Sequence, residues 1–286
     1  MSEGKDTRGR FWISGEALTR WGIAAVVLIL FYGLLAYRYA PAWAPRVLGL
    51  AQPALNLRAE RLTSAHFEIH NRSDARPDQV QNLQSLLERQ YSALIRFLGR
   101  EPDGPIQVDL QNGTIPALPA NGRLQVFYNG YIDTETVGFA LAMLIAGRDD
   151  PLFTAGGVAL YALEETEMLP PFIRQDSDAW VTWLDRKGLY LPLRQATAVG
   201  LSSPPEDIFR AVVEGASFTR WLVARAGWEA YWGWFDGADF AETFGMTLSE
   251  AETMWLADVR AQNLEPLPCA AALSGSFSGL CRELER

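Results

Sequence analysis

Between Arg20 and Arg38 the chain carries no charge: residues 21–37 read WGIAAVVLILFYGLLAY. No other stretch constrains the fold so strongly, because a helix that is apolar all round has no face to offer water. At 1.5 Å per residue the run extends roughly 25 Å, the short end of a membrane span. Trp21, Tyr32, Tyr37, Tyr39 and Trp43 stand where interfacial aromatics are expected, and Pro41 and Pro45 end the helix. A cleaved signal peptide has a shorter apolar core and a small-residue cleavage site, and no clean one follows here. The sequence therefore predicts a tail over residues 1–20, a transmembrane helix over 21–38 held in the lipid bilayer, and a linker over 39–61.

Lys5, Arg8, Arg10 and Arg20 precede the span, while Arg38 and Arg46 follow it. The positive-inside bias places the N-terminus in the cytoplasm and the globular part outside the cell membrane. Cys269 and Cys281, the only two cysteines, lie near the C-terminus. In an oxidising compartment they close a small loop worth up to about 3 kcal/mol in the chain-entropy model. The alternative is two unrelated thiols. A net charge of -9 over 286 residues argues against nucleic acid, since phosphate binding needs a basic face.

Beyond the linker, AHFEIHN (65–71) alternates like a strand. Residues 77–98 repeat Val80, Leu83, Leu87, Tyr91, Leu94 and Leu98 at helical spacing, and Gly99 stops them. PIQVDLQN (105–112) and GRLQVFYNG (122–130) are two further strands, the last closed by an Asn129-Gly130 turn. After that the chain turns mainly helical, at 134–146, 153–165, 203–227 and 247–262, with short helices over 228–245. Ser249 and Glu252 have capping-box spacing. The expected fold class is α+β: a transmembrane helix, a small N-terminal sheet with one long helix, then a mainly helical C-terminal half. A C-terminal tail over 263–286 carries the cysteine pair.

Several segments, in this order, carry a likeness: SAHFEIHNRSD, LLERQYSALIRFLG, PLFTAGGVALY, GASFTRWLVARAGWEAYWGWF and FAETFGMTLSEAETMWLADV. Together, over residues 62–262, they resemble the peptidase-MA-like (gluzincin) domain of membrane-attached or secreted bacterial zinc metallopeptidases. The resemblance implies a helix bearing H-E-x-x-H, whose two histidines hold zinc and whose glutamate acts as general base, with a third ligand from the next helix. Laid onto this chain, Val137 and Leu141 fall at the histidine places, Gly138 at the glutamate and Gly156 at the third ligand. His66 and His70 are the only histidines, so the motif cannot be written in any register.

Other chemistry fares no better. HFEIH reads as a strand, which would put His66 and His70 roughly 13 Å apart along the chain. Glu164, Glu165 and Glu167, or Asp133 and Glu135, offer carboxylate pairs, but acidic residues at helix ends are usually solvated. Ser217 has neither a G-x-S-x-G setting nor a histidine base, and neither cysteine has a positioned histidine. AGGVAL lacks the dinucleotide fingerprint. The expectation is a membrane-anchored pseudopeptidase, with no metal and no cofactor, that binds or scaffolds an unknown protein partner on the extracytoplasmic face of a bacterial membrane. The alternatives are an accessory subunit of a larger membrane complex and a hydrolase of unrecognised chemistry.

Overall fold

The computed structural model describes residues 60–132, 134, 136–147, 152–170, 173–200, 202–273 and 279–284. Its first half is a sheet of β1 (Glu60–Thr63), β2 (Phe67–Asn71), β3 (Ile106–Asn112), β4 (Leu118–Ala120) and β5 (Arg123–Tyr128), in the order β1-β2-β3-β5-β4. The central β2, β3 and β5 are parallel, and the edge strands β1 and β4 are antiparallel to their neighbours. Parallel neighbours need a crossover, and α1 (Pro77–Leu98) supplies it between β2 and β3.

Side-chain alternation fixes the register. Phe67 lies opposite Ile106, Ile69 opposite Val108, Val108 opposite Leu124 and Leu110 opposite Val126, all of them buried. Glu68, His70, Gln107 and Asp109 take the other face. A slip of one residue would turn every one of these apolar groups to water, each worth about 1.5–3 kcal/mol. The six apolar positions expected on α1 are its buried residues. Gly99, at φ +63°, ends that helix by returning its N–H to the Ile95 carbonyl.

The second half is helical: α2 (Val137–Ala146), a π-helical turn (Leu152–Gly156) running straight into α3 (Gly157–Glu165), α4 (Ser177–Lys187), α5 (Leu193–Ala196), α6 (Pro205–Phe235), α7 (Phe240–Phe244), α8 (Leu248–Ala261), α9 (Cys269–Ala272) and α10 (Leu280–Leu284). Within α6 the helical backbone breaks at Gly227, which takes φ +79° and ψ 170°, so two helical segments meet there at a kink, at the glycine where the sequence places a helix end. The helix packs against the π turn, α3, α4 and α5. Two glycines make this possible. A Cβ on Gly215 would lie 2.0 Å from the Phe153 carbonyl oxygen, and one on Gly157 would lie 2.5 Å from the Gly215 carbonyl carbon. Cys269 and Cys281 are bonded, with an S–S distance of 2.11 Å, and join α9 to α10.

The expected architecture needs correction. The sheet is not a small three-stranded one in an α+β chain: the described residues form a mixed α/β arrangement with five strands. The missed edges have weak patterns. Residues 60 and 61 of β1 fall within the expected linker, and β4 is three residues long with Pro119 at its centre. The membrane reading is corrected too. Against the expected single-pass span with a cytoplasmic N-terminus stands one finding: among the described residues no helix is long and apolar enough to cross a membrane. Helix α2, apolar on every side, has only ten residues, about 15 Å of rise. The run at 21–38 lies outside the described residues. The cap of α8 also differs: Thr247 and Glu250 form the capping box, which leaves Glu252 free for another contact.

Candidate functional site

Helices α2 and α3 pack side by side, and α2 also lies against α1, β4 and β5. This is where the resemblance would put a metal centre. Val137 and Leu141 are fully buried. At Gly138, a Cβ would stand 3.0 Å from Gln90 Nε2 and 3.4 Å from Leu163 Cδ2. At Gly156, the last residue of the π turn, it would stand 2.9 Å from Val212 Cγ2, with the Phe139 ring behind. The volume is occupied from both sides by hydrocarbon and one amide. Gln90 Oε1 is buried there without a hydrogen-bond partner among the described residues. Zinc needs three or four nitrogen, sulfur or carboxylate donors. The residues here do not fit it, and among the described residues no group of three or more His, Cys, Asp or Glu side chains is placed to hold a metal ion.

The two histidines turn to different neighbours. His66, just before β2, stacks on Tyr91 at 4.3 Å and places Nδ1 2.6 Å from Glu88 Oε2 on α1. His70 sets Nε2 2.8 Å from Glu68 and 2.9 Å from Gln107, on the outer face of the sheet. Hydrogen bonds from His66 and Ser64 hold the Glu88 carboxyl below its ordinary range, against the opposing effect of burial. Gln107 and Arg61 do the same for Glu68.

The acidic cluster after α3 separates by burial. Glu165 and Glu167 are exposed, Asp133 and Glu135 lie outside the described residues, and the Glu164 side chain is 4% exposed. Its carboxylate accepts the Ser177 N–H at 2.7 Å, the Ser177 hydroxyl at 2.9 Å and Arg220 Nη2 at 2.5 Å. Burial pushes Glu164 up to about 7, while Arg220 and Ser177 pull it down. The guanidinium also reaches Asp178 at 3.1 Å and lies over the Tyr161 ring. Asp178 in turn accepts the Ser217 hydroxyl at 2.5 Å, and Ser217 accepts Trp255 Nε1 at 2.9 Å. One connected polar network thus ties α3, α4, α6 and α8 together.

That network holds a serine against a carboxylate but contains no imidazole. Ser217 is 1% exposed and Asp178 9%, so both lie below the surface. Its chemistry is charge compensation between packed helices. Of its members the sequence reading singled out Glu164 and Ser217; Asp178, Arg220 and Trp255 were missed. A signal was present: Arg220 sits inside SFTRWLVA and Asp178 inside SDAWVTW, where a charge interrupts an apolar helical face. No family model matches the chain, and no curated protein matches it.

Proposed function

We propose that this chain is a catalytically inactive relative of the gluzincin peptidases that works by binding a protein partner. The observation that carries the reading is the filled space between α2 and α3. The two helices lie adjacent, α2 against β4 and β5 of the sheet, as a zinc peptidase would need, yet Val137, Gly138, Leu141 and Gly156 are all buried, and a side chain at either glycine would meet Gln90 and Leu163 or Val212 and Phe139. Restoring the general base at Gly138 or the ligand side chain at Gly156 would drive it into these neighbours, so the helices have become packing elements. A fold whose core does not depend on a metal keeps its surface after the chemistry is gone.

Metal loading tests the inactive half of the proposal. The full chain, incubated with excess zinc and dialysed, should retain substoichiometric metal by plasma mass spectrometry and leave a quenched peptide library uncleaved. Stoichiometric zinc together with hydrolysis would overturn it. The binding half is tested by a photo-crosslinking residue at Leu118 on the edge strand beside α2, with Met254 on α8 as control. A discrete protein adduct at Leu118 alone is expected, and no adduct at Leu118 would count against it.

A further inference from the structure

A strap over residues 189–199 joins α4 to α6 and includes α5. Four hydrogen bonds with ionisable side chains hold its first residues. Arg210 Nη1 donates to the Leu189 carbonyl at 3.2 Å. Glu214 Oε1 accepts the Leu191 N–H at 2.9 Å, and Glu252 Oε1 accepts the Leu193 N–H at 2.9 Å. Glu252 Oε1 also accepts the Tyr190 hydroxyl in a short bond. On the strap itself Leu193, Ala196 and Val199 are buried, and the Tyr190 ring lies 6.0 Å from Trp255.

Glu214 is the unusual member. It is 0% exposed, and Oε2 has no hydrogen-bond partner among the described residues. The charged and titratable groups facing it are Arg210 on its own helix, Tyr190 on the strap and Glu252 on α8. The Arg210 guanidinium is already engaged by Asp207 and by the Leu189 carbonyl. Glu252 is a like charge. An ionised Glu214 would therefore stand buried with one donor and an acidic neighbour, which is strongly unfavourable. Moving the strap aside would let water reach it.

We propose that Glu214 and Glu252 form a pH-sensitive latch on the strap, closed while Glu214 holds its proton and released when it ionises. Release uncovers the apolar strip of Leu193, Ala196 and Val199, a surface absent in the closed form. Burial raises the Glu214 carboxyl well above its ordinary value, the direction a latch of this kind requires. The sign follows from linkage: the closed form binds a proton that the open form gives up, so rising pH favours opening until Glu214 ionises in the closed form as well.

Hydrogen–deuterium exchange on the full chain, from about pH 5 to about pH 9 and corrected for intrinsic rates, tests this. In the wild type the opening constant of the amides at 191 and 193 should rise by up to about tenfold per pH unit before levelling off. Glu214→Gln, a neutral isostere that still accepts the Leu191 N–H, should give a flat profile. Glu252→Gln removes the like charge and should lower the pH at which the rise levels off. A flat wild-type profile overturns the latch whether or not either variant folds. So does an unchanged slope in Glu214→Gln, or a parallel rise in the α3 amides, which would make the opening global.

Discussion

Two arginines show how differently the halves of this molecule use charge. On the sheet, Arg123 meets Asp109 at 3.1 Å, with 44% of the arginine side chain exposed. On α6, Arg220 meets Glu164 and Asp178, with 24% of its side chain exposed and their side chains at 4% and 12%. The first pair decorates a face whose strands are already set by alternation. The second ties α3, α4 and α6 together, because the two buried acids, once ionised, need its cation. A fold can thus carry regular elements that need no polar guidance beside a helical core whose assembly rests on buried charge.

Close backbone approach, the other device of the helical half, gives the largest expected effect. Gly215→Ala puts a methyl group into the Phe153 carbonyl and should cost more than about 4 kcal/mol, read from the shift in urea midpoint. If α6 moves off the π turn at little cost, the loss will be below about 1 kcal/mol and the glycine contact is not what holds these elements together.

Arg220→Met comes next. It leaves Asp178 and Glu164 buried without their cation and should cost about 3 kcal/mol, the lower end of the range because the guanidinium is partly exposed. The loss should be larger at pH 8 than at pH 5, since Glu164 needs the cation only when ionised. For the wild type the sign runs the other way from an ordinary salt-bridged acid. The folded pKa of Glu164, about 7, exceeds the unfolded value of 4.5, so stability is full below about 4.5 and falls as pH rises to about 7. That fall is at most about 3 kcal/mol, and Glu164→Gln should remove its share of it. Chemical denaturation at several pH values checks both statements, and stability that rises across this window would break them.

Breaking the Cys269–Cys281 bond by a paired alanine substitution should cost about 2–3 kcal/mol, measured by thermal unfolding. The effect should fall on the α9–α10 end while the sheet keeps its protection. The smallest effect belongs to the sheet: Arg123→Ala should change stability by less than about 1 kcal/mol, and added salt should reduce even that. If Arg123→Ala matched Arg220→Met, the contrast between the halves would fail.

The candidate site was legible in one sense. The absence of histidine from ETVGFAL is a fact of the sequence, and burial at Val137, Gly138, Leu141 and Gly156 follows from their apolar or minimal side chains. What fills the space was not legible. Gln90 comes from α1 and Val212 from α6, 48 residues before Gly138 and 56 after Gly156 respectively, and nothing local marks them as its neighbours. The capping residues of α8 failed for a similar reason: Ser249 and Glu252 had suitable spacing, but Thr247 and Glu250 have it too. Only the pull of Tyr190 and Leu193 on Glu252 separates the two choices.

By itself the sequence determined α1, with its six buried positions and its Gly99 stop, and the strands whose apolar residues alternate, because side-chain period is a local property read along one segment. It also determined that no H-E-x-x-H exists. The tertiary structure alone decided the edge strands, the pairing of Glu164 and Asp178 with Arg220, and the burial of Glu214 beneath the strap. These depend on which distant surfaces come into contact, and a charge becomes costly or useful only once a neighbouring element has taken its water away.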